Sequence, residues 1–192
     1  MDSILADSNM MEDLLKYGTM LIVARLLAGK DLSGEGGDQW PTRTLLFTLA
    51  GLASYHLVTK KFVPGDLLGD NAQVQTVIDT CLKWGSMLVV QRLLSKQALD
   101  KQWMLCTAYT LAGFSAWELV GQGLGVSGYV SDMVGGNDNI KNALDDALMM
   151  GTMSVVSRLL EGASLEDRDW QMGTLYTMVG ISTYHFGPNM LL

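Results

Sequence analysis

The sequence predicts an all-α chain of three tandem αα-hairpin repeats, and three observations carry that prediction. One unit recurs at a period of about 66 residues: Gly18, Gly85 and Gly151 are each followed seven residues later by Arg25, Arg92 and Arg158, each opening an Arg-Leu-Leu. After each of these comes a tryptophan (Trp40, Trp103, Trp170), then a segment in which aromatic, glycine and aromatic recur every four residues: Phe47-Gly51-Tyr55, Tyr109-Gly113-Trp117 and Tyr176-Gly180-Tyr184. A step of four keeps those residues on one helical face. The helix breakers collect between units, at Pro64-Gly65 with Gly69-Asp70-Asn71 and in the glycine-rich run from Gly121 to Asn139. The expected organisation is one domain over 1–192, with repeats 10–60, 77–120 and 143–188 and linkers 61–76 and 121–142.

Within each unit the first segment reads as helix A, over 10–28, 77–95 and 143–161. An acid stands six residues before each helix-A glycine, at Glu12, Asp79 and Asp145. In first turns such acids complement the positive end of the helix dipole. Arg25, Arg92 and Arg158 fall near the helix ends, where a guanidinium holds the last carbonyls or reaches a head group, a task lysine also performs. Helix B is expected over 42–58, 103–119 and 170–186, with Pro41 suited to a first helical position. Short A–B loops such as Ser95–Gln102 make the two helices antiparallel neighbours. Small residues flank the helix-B glycines at steps of three (Thr48-Gly51-Ser54, Thr110-Gly113-Ala116, Thr177-Gly180-Thr183). An interior glycine costs a helix about 1 kcal/mol against alanine, so these positions predict close helix packing at Gly18, Gly51, Gly85, Gly113, Gly151 and Gly180.

Composition decides the surroundings expected for these six helices. The chain is 48% hydrophobic and 17% charged, against roughly 25% charged in an ordinary soluble domain. Uncharged stretches run from Thr44 to Thr59, Gln102 to Trp117 and Trp170 to Leu192, close to the ~20 residues a spanning helix needs. Helix A offers shorter runs, such as Tyr17–Ala24 and Trp84–Gln91. Trp40, Trp103 and Trp170 suit aromatic anchors at a membrane interface, and Arg25, Arg92 and Arg158 suit snorkelling cations there. The expectation is a six-helix membrane bundle, with a soluble helical bundle as the alternative. Eight of the thirteen Lys and Arg lie on the A–B loop side, which places those loops in the cytosol. A net charge of −7 without a basic stripe argues against nucleic acid as a partner.

No phosphate loop, nucleophile elbow or His-Glu-x-x-His occurs, so no catalytic residue, cofactor or metal is assigned and the chain reads as non-enzymatic. His56, Glu118 and His185 share one position of the unit, just past the second aromatic. Two histidines and a carboxylate resemble a facial metal triad. The plainer expectation is that each pairs with the acids beginning helix A.

The phrases VVSRLLEGASLEDRDWQMGTLYTMVGISTYHF (155–186), LIVARLLAG (21–29) and TLAGLASYHLVTKKFVP (48–64) are similar to repeated membrane proteins of nucleocytoplasmic large DNA viruses, of the chlorella virus and mimivirus kind. There an Arg-Leu-Leu, a tryptophan and a Tyr-His-ended segment recur; the middle unit here departs, with Trp117-Glu118 in place of Tyr-His. The resemblance implies a virion membrane protein, a minor capsid component joining the shell to the internal membrane beneath it. Its partners would be lipid, capsid or other virion proteins and further copies of itself. A small transporter or channel and a soluble helical adaptor are the competing functions.

Overall fold

A computed structural model describes residues 8–34, 39–59, 71–121 and 125–187. Among these the chain is entirely helical: α1 (Ser8–Leu27), α2 (Phe47–Ser54, continued by π-helical turns at Trp40–Leu46 and Tyr55–Thr59), α3 (Ala72–Leu94), α4 (Lys101–Ala116, continued by a π-helical turn at Trp117–Gly121), α5 (Val126–Met133), α6 (Asp138–Leu160) and α7 (Arg168–Tyr184). The Pro64-Gly65 and Gly69-Asp70 breakers lie outside the described residues.

Two boundaries differ from expectation, for local reasons. Helices α3 and α6 start at Ala72 and Asp138, about five residues before the expected 77 and 143, because asparagines cap them. Asn71 accepts from the backbone N–H of Gln73 and Val74, and Asn137 from those of Asn139 and Ile140. Asp79 and Asp145 therefore sit two turns inside their helices and are not first-turn dipole groups. The second linker also holds a helix of its own, α5, entered through Gly125 at φ +71°.

Helices α1, α3 and α6 end alike. The N–H of Gly29, Lys96 and Gly162 donates to the carbonyl of Leu26, Leu93 and Leu159, and the next residue's N–H donates to the carbonyl of Arg25, Arg92 and Arg158. These are Schellman ends, which need a left-handed residue. Glycine supplies it twice; Lys96 takes φ +55° in the third.

The packing places α2 on α3, α4 on α6 and α7 on α1, so the first and last helices of this set are neighbours. At each crossing a glycine meets backbone. A Cβ on Gly51 would lie 2.6 Å from the Met87 carbonyl oxygen, one on Gly113 2.6 Å from that of Met153, and one on Gly180 2.5 Å from that of Met20. The next residues, Leu52, Phe114 and Ile181, are wholly buried and meet Tyr17, Met20, Trp84, Met87 and Met150 in one core. Trp84 stacks on Phe114 at 4.2 Å and takes the edge of Tyr17 at 4.8 Å. Gly18, Gly85 and Gly151 face only side chains, Leu49, Leu111 and Met178, at 3.2 to 3.8 Å. Among the described residues, no helix is long and apolar enough to cross a membrane.

Candidate functional site

Above this core the helices enclose polar and charged side chains. Asp13 of α1 is the centre of one group: its Oδ2 lies 2.7 Å from His56 Nε2, on the π-helical turn after α2, and 2.8 Å from Lys83 Nζ on α3. Asp146 of α6 centres another, its Oδ2 2.6 Å from His185 Nε2, just past α7, and 2.6 Å from Lys16 Nζ on α1. One carboxylate oxygen thus ties three helices twice over. The Tyr55 hydroxyl donates to Asp79, adding a tie between α2 and α3.

The middle unit differs at two of these positions and the third unit at another. In the middle unit Glu118 stands where the others have histidine and Thr80 where they have Asp13 and Asp146; in the third, Met149 stands where the first two have Lys16 and Lys83. The Thr80 hydroxyl bonds Glu118, so the carboxylate has moved from one helix to its neighbour. A cavity of about 270 Å³ opens among these groups, lined by Asp13, Lys16, Asp79, Lys83, Glu118, Asp145 and Asp146 with Tyr17, Thr80, Trp84, Trp117 and Met149. His56 and Glu118 are 5% and 7% exposed. His56 Nδ1 has no partner among the described residues. His56, Glu118 and His185 are not gathered into a triad, and among the described residues no three His, Cys, Asp or Glu are placed to hold a metal.

The second recurring arrangement lies at the opposite end of α1, α3 and α6. The Nε of Arg25, Arg92 and Arg158 donates to the carbonyl six residues on: Asp31 at 2.6 Å, Ala98 at 3.0 Å and Ser164 at 3.0 Å. Each guanidinium also lies over the following tryptophan, 4.7 Å from Trp40, 5.8 Å from Trp103 and 5.4 Å from Trp170. Arg92 and Arg158 further donate to Asp100 and Asp167, the N-caps of α4 and α7. The arginines therefore bind the loop beyond the helix, not the last helical carbonyls. The Trp170 N–H and the Arg158 guanidinium hold the Asp167 carboxyl below the usual carboxylate range; the Ser33 hydroxyl and Gly34 N–H do the same for Asp31.

Outside, the chemistry reverses. Between Arg43 and Thr59 every exposed residue is apolar (Leu46, Ala50, Leu57, Val58). From Trp103 to Val120 the exposed residues are Met104, Leu105, Cys106, Ala108, Leu119 and Val120, and from Met172 through α7 they are Gly173, Leu175 and Val179. The Leu-Leu pairs following the arginines are exposed in all three units, at 44 to 56%.

Of the charged groups gathered around the cavity, the sequence pointed to His56, Glu118, His185, Asp79 and Asp145. It passed over Asp13 and Asp146, each one residue beyond the recurring acid, and the partners Lys16 and Lys83. A signal was present: both lysines stand two residues before a helix-A glycine. No protein family, curated protein or solved structure matches this chain.

Proposed function

We propose that the chain is a structural membrane protein of three tandem αα-hairpin repeats closed into a ring about a pseudo-threefold axis, lipid on its outer face and its charges on the axis. The carrying observation is the distribution of side chains, with partly buried ion pairs between helices and exposed apolar residues on the waist of α2, α4 and α7. Ionisable groups in a bilayer face the bundle interior and pair with one another. The Arg–Trp corners mark one interface, where tryptophan rings and cations concentrate. Three crossings of one kind, at Gly51–Met87, Gly113–Met153 and Gly180–Met20, support the ring.

The place of this protein in a virion, between capsid shell and internal membrane, rests on the sequence resemblance. A structural role is favoured over conduction because the polar cavity is floored by Tyr17 and Trp84, which pack with Phe114 beneath it. Alkaline carbonate extraction of membranes expressing the protein tests the reading. Retention in the pellet is expected; release into the supernatant supports the soluble adaptor. Solute or ion flux in proteoliposomes would move the reading to a channel.

A further inference from the structure

The lysines of the charged cavity follow one rule. Lys16 of α1 reaches Asp146 of α6 at 2.6 Å, and Lys83 of α3 reaches Asp13 of α1 at 2.8 Å. Each lysine stands two residues before a helix-A glycine, and each acid five residues before one, on the helix that comes before it in the circuit α1, α3, α6 and back to α1. The third pairing of this kind falls to position 149 of α6 and position 80 of α3. Those positions hold Met149 and Thr80, so the departures of the second and third units meet at one corner. Histidine is missing from it as well. Glu118 stands in its place, 7% exposed, and accepts from the Thr80 hydroxyl. Lys83, whose charge acts on Glu118, is already held by Asp13. Met149, Thr80 and Glu118 all line the cavity of about 270 Å³, beside Asp79 and Asp145. Five carboxylic side chains line that cavity against two lysines, so the lysine absent at 149 is not replaced by another.

We propose that this corner binds a primary alkylammonium ligand, whose N–H groups donate to Glu118 where the other two corners receive a lysine from within the chain. The chemistry of the occupant is set by those two corners, since the equivalent residues there hold an ammonium on a carboxylate between helices. A buried carboxylate is costly unless a cation or further donors meet it. Met149 is unbranched and apolar like the stem of a lysine and lacks its charge. The occupant is therefore a short alkyl chain that lies beside Met149 and ends in the three donors of an ammonium. A metal ion does not fit the corner, because among the described residues no three His, Cys, Asp or Glu are placed to hold one. The site lies at the charged end of the bundle and does not depend on lipid at the outer face.

The test uses the full-length protein in detergent and n-butylammonium chloride, which reproduces the side chain of the absent lysine. Equilibrium dialysis of isotope-labelled butylammonium should show a single saturable site, and the melting temperature should rise as that site fills. Potassium chloride and tetramethylammonium chloride at equal concentration should give no such rise, the first having no N–H donors and no stem, the second a charge without donors. Met149→Lys carries its own ammonium into the corner, so it should melt above wild type in the absence of ligand and lose the butylammonium site. Glu118→Gln keeps the shape and removes the charge; it should lose the site while remaining helical by circular dichroism, and it decides the matter alone should Met149→Lys fail to fold. Wild-type protein without a saturable site overturns the proposal, as does an equal response to potassium or tetramethylammonium, or a site retained in either folded variant. Carbonate extraction of the wild type is read separately, so a protein that leaves the membrane but still binds butylammonium fails the membrane reading alone.

Discussion

Arg25 shows what a single residue does in this molecule. Buried at 8% exposure, it donates through Nε to the Asp31 carbonyl and lies over Trp40, while its own carbonyl closes the Schellman end of α1. A lysine keeps the charge but cannot present a planar donor to the carbonyl while stacking on the indole. Arg25→Lys is therefore expected to cost roughly 2 kcal/mol, the scale of a charged hydrogen bond, measured as a lower melting temperature in detergent. A lysine variant as stable as wild type would return the arginines to the role of simple snorkelling cations. Asp167 makes the corresponding corner sensitive to pH. Its folded carboxyl titrates below the ordinary value near 3.8, so its contribution to stability is present above that value and lost as pH falls through the folded one. Asp167→Asn retains the cap but not the pairing with Arg158. Its melting temperature should vary less than that of wild type as pH is lowered through 4, and identical profiles would show that the corner does not respond to this proton.

Among the elements, the helix crossings make the sharpest division between residues of one kind. Gly173 and Gly180 both belong to α7, yet nothing lies within 4 Å of a Cβ at the first, whereas one at the second would run into the Met20 backbone. Gly180→Ala should destabilise by about 1–3 kcal/mol, as overpacking does, and Gly173→Ala should stabilise by about 0.5–1 kcal/mol through helix propensity. Thermal melts of the two variants check this, and a shift of equal sign in both would remove the crossing. Helical content and this packing position were legible in the sequence because a glycine every 66 residues between aromatics has few other uses. The starts of α3 and α6 were not, since Asn71 and Asn137 sit in polar stretches that read as linker until their side chains are seen on the N–H groups they cap. Helix α5 was hidden by its glycines for the same reason. The π-helical turns from Tyr55 and Trp117 escaped as well. They widen the helix just where His56 and Glu118 must reach across to Asp13 and Thr80, a demand set by neighbouring helices and not by local sequence.

The whole molecule is organised by where charge goes. Asp13 with His56 and Lys83, Asp146 with His185 and Lys16, and Glu118 with Thr80 gather ionisable groups between the helices at one end of the bundle, whereas the exposed residues along the middle of α2, α4 and α7 are apolar or small. In the middle unit the carboxylate stands on the second helix of the hairpin, at Glu118, with Thr80 on the first; in the third unit Met149 stands at the lysine position. The claim that this outer face meets lipid is tested most directly at Val179, on the waist of α7. With Cys81 and Cys106 replaced by serine, a fluorophore is attached at Val179→Cys or, for comparison, at Lys96→Cys in the loop after α3, and each protein is reconstituted in vesicles. Fluorescence at 179 should be quenched by lipids carrying nitroxides on their acyl chains and spared by an aqueous quencher, with the reverse at 96; quenching from water as strong at 179 as at 96 would contradict the account.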